Sequence, residues 1–215
     1  MEEGEAIAAK AARLASEIRA RAGDAPRFVV GIAGPPGAGK SALAAALVAA
    51  LQARGESAQA VPMDGFHLDN ALLDARGLRA RKGSPETFDV AGFRTLLERL
   101  RVEGEGNGEV LIPLFDRAAD LARAAAAAVA PDCRFPVVEG NYLLLRDPPW
   151  DALRPLFDLT IGLAVPEDEL RRRLVARWLA HGLDRQAARA RTEGNDLTNA
   201  RLVATRSAPA DIVVD

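Results

Sequence analysis

The sequence has little of three features, and each scarcity excludes a class of protein. One cysteine, Cys133, stands among 215 residues, so an intramolecular disulfide is excluded. The net charge of -2 lacks the basic excess that is typical of a nucleic-acid-binding surface. No apolar run approaches the roughly 18 residues that span a bilayer, and the acidic start, MEEGEAIAAK, is unlike a signal peptide. We therefore expect a cytoplasmic protein with neither nucleic acid nor a membrane as its partner.

Lysine is scarce as well, although the chain is rich in arginine. Of the 28 basic residues, three are lysine (Lys10, Lys40 and Lys82), which leaves 25 arginines. A chain that uses arginine for most of its positive charge makes each retained lysine informative. Two of the three lie in motifs described below.

Short apolar segments alternate with helical patterns along the chain. Strands are predicted at 28–33, 58–63, 110–112, 136–138, 159–165 and 211–214, and helices at 2–22, 41–54, 90–102, 167–181 and 185–204. This alternation predicts an α/β fold with a mostly parallel sheet and helices on both faces. With 49% hydrophobic residues, the length suits a single domain, 1–215, in which segment 1–25 holds an N-terminal surface helix.

The segment Gly34–Ser41, GPPGAGKS, lies between a predicted strand and a predicted helix. It fits the pattern G-x-x-x-x-G-K-[ST], whose glycines let backbone N–H groups surround a phosphate at a helix N-terminus. Lys40 is expected to reach the β- and γ-phosphates of ATP, and Ser41 to bind Mg²⁺. The nucleotide-binding candidates are Gly34, Pro35, Gly37, Ala38, Gly39, Lys40 and Ser41.

Acidic residues end two further predicted strands. Asp64 follows the second strand, where it suits a general base that accepts a hydroxyl proton, although an aspartate that caps the turn fits its position equally well. Glu139 ends the strand FPVVEG, and we interpret it as a carboxylate that polarises a Mg²⁺-bound water, in preference to one that faces solvent.

Arginines are concentrated in the predicted helix 167–181. Arg173 and Arg177 are four residues apart and therefore share one helical face. Such a run is usually a solvated face, but in a phosphotransferase it can belong to a lid that supplies charge to the transition state.

Together these residues resemble the pantothenate kinase, uridine kinase and phosphoribulokinase superfamily. The segment 81–89, RKGSPETFD, and DGF at 64–66 are similar to elements of bacterial pantothenate kinases, while EGN at 139–141 and PLFDR at 113–117 are similar to elements of uridine kinases and phosphoribulokinases. A narrower resemblance, through MDGFHLDN, EGNYLL and GNDLTNAR, is to short bacterial chains called fructokinases or fructose-transport-associated kinases.

The resemblance implies a three-layer P-loop NTPase fold of the nucleoside and nucleotide kinase type, with a helical lid at about 166–195. It also implies that Asp64 is the base and that Arg173 and Arg177 belong to the lid pattern R-L-x-x-R. The superfamily is often dimeric or larger, so a homodimer is one option for this chain.

The resemblance also bears on segment 117–130, whose secondary structure is ambiguous between a helix and a strand or hairpin. Its alanines favour a helix by propensity, whereas the superfamily has a strand or hairpin at this point, and we favour the hairpin.

The acceptor is expected to be a small, neutral or weakly charged polyhydroxyl compound. The candidate acceptor-binding residues offer mixed donors and acceptors that suit hydroxyls: Asp64, His67, Asp69, Asn70, Lys82, Asp116, Arg117 and Tyr142. His67 is equally consistent with acceptor contact and with packing in its loop. Phe66 and Phe115 are expected to pack inward, which leaves no aromatic pair to stack a base. A sugar such as fructose is therefore the first candidate, and a nucleoside or pantothenate the alternative.

Three other classes of protein compete with a metabolite kinase. A regulatory GTPase would carry an N-K-x-D motif, and none of the three lysines lies in one. A nucleotide kinase with a phosphate acceptor would need several arginines around the acceptor in place of a base such as Asp64. A nucleotide-binding module without transfer chemistry differs from a kinase in that acceptor would not stimulate its release of ADP.

Overall fold

The computed structural model describes residues 2–102 and 108–215. The strands are β1 (Val30–Ala33), β2 (Ala58–Pro62), β3 (Val110–Asp116), β4 (Leu121–Val129), β5 (Phe135–Gly140), β6 (Leu159–Leu163) and β7 (Ile212–Val214). Five of them form one parallel sheet in the order β2-β5-β1-β6-β7. The predicted α/β class with a parallel sheet is confirmed.

Seven α-helices accompany the strands in the described residues. They are α1 (Glu2–Ala22), α2 (Lys40–Gln52), α3 (Asn70–Ala75), α4 (Val90–Val102), α5 (Glu167–Ala180), α6 (Arg185–Arg191) and α7 (Leu197–Arg206). A π-helical turn, Thr192–Asp196, joins α6 to α7. In the part of the chain that the structure describes, no helix has both the length and the apolar character to cross a bilayer.

The sheet is covered on both faces because its strands alternate their side chains. Val30 and Ile32 point into a core shared with α1 and α2, where Leu14 of α1 is fully buried. Val29 and Ala33 belong to the opposite core, which includes the buried face of α4. Near-continuous apolar strands of this kind are typical of parallel sheets buried on both sides.

The strand predicted at 110–112 does not join the parallel sheet. As β3 it extends to Asp116 and pairs antiparallel with β4, so that Val110 lies opposite Val129. The hairpin favoured for segment 117–130 is confirmed. Propensity alone was misleading here because the alanines of β4 form half of a paired ladder, and pairing can override a helix preference.

The prediction of one helix over 185–204 is wrong. The helix is interrupted at Thr192–Asp196, where Gly194 is a poor helix former. In the shifted register the buried Asn195 Nδ2 donates to the carbonyl of Lys82, 3.0 Å away. Such π turns are often found at functional sites, and this one borders the cleft described next.

Candidate active site

The strand order brings the three predicted phosphate-chemistry motifs to one edge of the sheet. The P-loop follows β1 and Asp64 follows β2. β5 lies between these strands, and its penultimate residue, Glu139, is opposite both Ile32 and Pro62. Ligands of such sheets bind beyond the carboxyl ends of the strands. A cleft of about 390 Å³ opens there, lined by Lys40, Asp64 and Glu139 among others.

The P-loop forms a turn that only glycine adopts easily at two positions. Gly37 and Gly39 have φ of 80° and 93°, in the left-handed region, and α2 begins directly after them. Lys40 is 8% exposed, and its Nζ donates to the carbonyl of Pro35 at 3.0 Å. Burial lowers the pKa of Lys40, against the opposing charges of Glu139 and Asp64. The lysine thus lies inside the turn, as the motif predicts.

The predicted nucleotide-binding residues divide between two sides of this loop. Gly37, Gly39, Lys40 and Ser41 line the cleft. Ala38 is buried against α5 and α7, whereas Gly34 and Pro35 line a separate, largely apolar hollow of about 770 Å³.

Ser41 and Glu139 meet at the floor of the cleft. Ser41 Oγ donates to Glu139 Oε1 at 2.8 Å, and Glu139 is 7% exposed, so it does not face bulk solvent. Burial raises the pKa of Glu139, an effect that the neighbouring Lys40 opposes. Two oxygen donors fit a hard cation that takes its other ligands from phosphates and water. No group of three or more acidic, histidine or cysteine side chains suited to a metal occurs within residues 2–102 and 108–215.

Asp64 lies in a short 3-10 turn, Met63–Phe66, at the end of β2. Its Oδ2 accepts a hydrogen bond from Arg117 Nη2 at 3.2 Å, and the aspartate side chain is 30% exposed towards the cleft. Arg117 comes from the turn between β3 and β4. The hairpin therefore places a cation on the predicted base.

His67 lines the cleft and is also packed by aromatic rings. Its imidazole stacks on Phe88 with centroids 4.1 Å apart and meets the edge of Phe115 at 4.8 Å. Burial lowers its pKa to about 4, although the charge of Asp64 opposes this, so the ring is neutral near pH 7. Its Nε2 lies 4.0 Å from Asp64 Oδ1, too far for a hydrogen bond, and Nδ1 is buried with no partner among the described residues.

The lowered pKa of His67 predicts a pH-dependent stability. Because the unfolded chain binds a proton near the usual pKa of 6.5 and the folded chain only near 4, stability is lost as pH falls through this interval. Between about pH 7.5 and about pH 5, this titration should lower the free energy of unfolding by about 2 kcal/mol. We expect His67→Gln to lack this loss when unfolding by denaturant is measured at the two pH values. The control is His181→Gln, at an exposed position. An unchanged pH dependence in His67→Gln would contradict the buried neutral imidazole.

The predicted lid helix, α5, lies over the P-loop. A Cβ added to Gly37 would lie 3.1 Å from Leu174 Cγ, and one on Gly39 would lie 4.0 Å from Arg173 Nη1. Arg173 and Arg177 both line the cleft, as their shared helical face predicts. Burial and, next, the charge of Arg117 lower the pKa of Arg177.

Three predicted acceptor-binding residues have structural roles outside the cleft lining. Asp69 caps α3 by accepting from Ala71 N at 2.8 Å, and Asp116 accepts from the backbone N–H groups of the turn that follows it. Tyr142 is fully buried and donates its hydroxyl to the carbonyl of Gly83 at 2.6 Å. In this structure each of the three side chains has a local backbone partner and lies outside the cleft lining, so its binding to an acceptor stays a prediction.

Asn70 and Lys82 are likewise committed. Asn70 does not line the cleft, and Lys82 lines it with an ammonium group that is bonded to Asn70 and Asp120. Of the predicted acceptor-binding residues, Asp64, His67, Lys82 and Arg117 line the cleft, and of these Lys82 has all its donors matched within the protein.

Sequence reasoning missed a second wall of the cleft. Its further lining residues include Phe88, Phe115, Asp120, Trp178, Arg191, Asp196 and Asn199. Phe66 packs inward on Phe93, as expected, but Phe115 does not, since it faces the cleft beside His67. Trp178 donates to Asp196 Oδ2 at 2.6 Å, and Arg191 lies over its ring at 4.4 Å. The one available signal was a tryptophan, scarce in this chain, in an arginine-rich helix.

Comparison with known proteins identifies the family. A structure described as a putative fructose transport system kinase from Silicibacter sp. TM1040 superposes with a TM-score of 0.89 at 48% identity, covering 95% of this chain and 98% of the other. The uncharacterized protein YggC of Escherichia coli is 41% identical over 88% of this chain and 78% of its own length. A putative uridine kinase of Schizosaccharomyces pombe is 35% identical over 87% and 83%.

One family model also matches, over residues 1–66, and it is described as the methylmalonyl Co-A mutase-associated GTPase MeaB. This match spans α1, the P-loop and Asp64, less than a third of the chain. The longer matches extend through the lid, and their relatives include the named kinases above. The chain belongs to the superfamily of P-loop small-molecule kinases that comprises phosphoribulokinase, uridine kinase and pantothenate kinase.

Proposed function

We propose that this chain transfers the γ-phosphoryl group of ATP to a hydroxyl of a small metabolite, with a sugar such as fructose as the first candidate. One observation carries the proposal: Lys40 and Asp64 line one cleft, on the two sides of Glu139. Phosphoryl transfer to an alcohol needs a cation at the transferred phosphate and a group that accepts the hydroxyl proton.

The nucleotide is proposed to bind across the P-loop. Its phosphates would lie at the N-terminus of α2, within reach of Lys40. The hollow on the other side of the loop, lined by Gly34, Leu163 and Val165 among others, is mostly apolar and suits the adenine ring.

Ser41 and Glu139 are the residues that would hold Mg²⁺. Both supply oxygen ligands, they are hydrogen-bonded to one another, and they line the cleft beside Lys40. When bound, the ion would neutralise charge on the phosphates.

The transfer itself would use Asp64 and the lid arginines. Asp64 accepts the proton of the acceptor hydroxyl while the hydroxyl oxygen bonds to the γ-phosphorus of ATP. The bond between the γ-phosphorus and the oxygen of the β-phosphate breaks, which releases ADP. Arg173 and Arg177 stabilise the negative charge on the transferred group, and α5 above the P-loop excludes water.

The charges of the cleft support a neutral acceptor. Among the residues that line the cleft near the P-loop, three cations face one carboxylate, an excess of positive charge that suits a polyphosphate: Lys40, Arg173, Arg177 and Glu139. Glu169, outside the lining, offsets part of this excess through its bond to Arg173 Nε at 2.6 Å. In the rest of the cleft three cations balance three carboxylates: Lys82, Arg117, Arg191, Asp64, Asp120 and Asp196. A balanced set of donors and acceptors suits hydroxyls better than an anionic group. The fructose transport description of the 48% identical relative supports a sugar.

A nucleoside is the second candidate, because aromatic rings line the acceptor side. Phe88, Phe115 and Trp178 border the cleft, and such rings can stack a base as well as the apolar face of a sugar.

An acceptor panel tests the assignment. We expect ADP release to depend on acceptor, and kcat/KM to be highest for a sugar, with nucleosides and pantothenate well below it. Removing one bonded hydroxyl should reduce kcat/KM by at least about a hundredfold, because a buried polar group would lose its partner. A nucleoside preferred over inert sugars would overturn the sugar assignment. ADP release that no acceptor stimulates would overturn the kinase assignment.

A further inference from the structure

Lys82 lines the acceptor side of the cleft, but its ammonium group is fully used within the protein. The residue is 8% exposed, and Nζ has three acceptors: Asn70 Oδ1 at 2.7 Å, Asp120 O at 2.7 Å and Asp120 Oδ1 at 2.8 Å. An ammonium group has three N–H donors. All three are matched, so none is left for a bound molecule.

The three bonds also explain why a lysine stands here in a chain that uses arginine almost everywhere else. A compact ammonium can direct its donors at three oxygens grouped around one point, whereas the planar guanidinium of arginine is larger and directs its donors in a fixed fork. We call Lys82, Asn70 and Asp120 the Lys82 latch.

The latch holds the turn between β3 and β4. Asp120, at the end of this turn, has φ of 53°, a left-handed conformation that is costly outside glycine and needs support. Asn70 supplies more of it, since its Nδ2 donates to both Asp120 O and Asp120 Oδ2 at 3.0 Å. The same turn carries Arg117, whose Nη2 lies 3.2 Å from Asp64 Oδ2. Phe115, just before the turn, has its ring centroid 5.0 Å from Lys82 Nζ.

The backbone of the latch is fixed from two other directions. Asn195, in the π turn at the C-terminal end of the lid region, donates to the carbonyl of Lys82 at 3.0 Å, and Tyr142, after β5, donates to the carbonyl of Gly83 at 2.6 Å. Residues 82–83 thereby join the hairpin, the lid region and the central sheet.

We propose that Lys82 is a positioning residue that fixes the β3–β4 turn beside Asp64, so that Arg117 and Phe115 keep their places in the acceptor site, and that it does not bind the acceptor. The kinetic effect of this positioning rests on the proposed kinase function. The latch itself is a property of the folded protein and can be measured without catalysis.

The kinetic experiment is a double-mutant cycle of Lys82→Met and Asp120→Ala. Lys82→Met removes all three bonds of the ammonium group and Asp120→Ala removes its carboxylate partner. Each variant should therefore lower kcat/KM for the acceptor about tenfold or more while the KM for ATP changes less than about twofold. The double variant should be no worse than the more impaired single variant. Arg79→Met is the control, because it removes a neighbouring cation whose ion pair with Asp74 is exposed. Effects that multiply in the double variant would show that Lys82 acts on the acceptor by itself and would overturn the proposal.

Hydrogen–deuterium exchange in the absence of ligands provides the second measurement. Residues 110–129 should exchange at least about tenfold faster in Lys82→Met and in Asp120→Ala than in the unmodified protein or Arg79→Met. Unchanged exchange in the hairpin would overturn the latch. If Lys82→Met does not fold, Asp120→Ala alone decides by the same criterion. If the unmodified protein has no kinase activity, the proposed function fails while exchange still decides the latch.

Discussion

Lys40→Ala should lower turnover at least about a hundredfold, which corresponds to about 2.7 kcal/mol of lost transition-state stabilisation. Lys40 is the first residue of α2, and its Nζ donates a hydrogen bond to the carbonyl of Pro35 inside the P-loop turn. Burial lowers its pKa, so the protein holds this charge against a desolvation cost. A bound polyphosphate would remove that cost, and alanine can supply no charge in its place.

The matched control for this variant is Lys10→Ala, which removes one of the other two lysines from α1, away from the cleft. Steady-state ADP production and nucleotide affinity should both be measured for each variant. Near-normal kinase activity in Lys40→Ala would contradict the role of the P-loop and with it the proposed function.

The fold and the phosphate side of the site could be predicted because short contiguous patterns determine them. The P-loop contains its own turn, glycines and lysine within Gly34–Ser41. The apolar strands before Asp64 and Glu139 predicted a parallel sheet, and parallel strands necessarily bring their carboxyl ends together. The contact of 2.8 Å between Ser41 and Glu139 is a consequence of that geometry.

The acceptor side was predicted less well because its residues are brought together by contacts between distant segments. Asp69 and Asp116 have side chains suited to bind hydroxyls, but each accepts from backbone N–H groups two or three residues further on. Aspartate forms such local bonds readily, and a motif does not reveal whether it has done so.

The aromatic lining illustrates the same limit. Whether Phe115 packs inward depends on how the β3–β4 hairpin packs against the loop that carries His67. The pairing register of β3 and β4 shifts between Ile112 and Leu114. A shift of one residue in a strand sends its side chains to the other face. Residue type and spacing could not supply that register.

Asp64→Asn should lower kcat by about a hundredfold or more while ATP affinity changes little. Asparagine keeps the size of aspartate and can still accept a hydrogen bond from Arg117, which lies 3.2 Å from the carboxylate. What it cannot do is take the proton of an attacking hydroxyl. The structure makes this a clean test, because Glu139 and Ser41, the proposed metal-binding pair, bond to one another and remain in place.

Asp74→Asn is the matched control, since it makes the same change to an exposed carboxylate of α3 whose ion pair with Arg79 lies outside the cleft. ATP binding by calorimetry and acceptor phosphorylation by ADP release should be followed in both variants. A large loss of ATP affinity in Asp64→Asn would mean that Asp64 serves the bound metal or the fold of the P-loop side. Glu139 would then be the better candidate for the acid on which the chemistry depends, although it is buried beside Lys40 whereas the side chain of Asp64 is partly exposed.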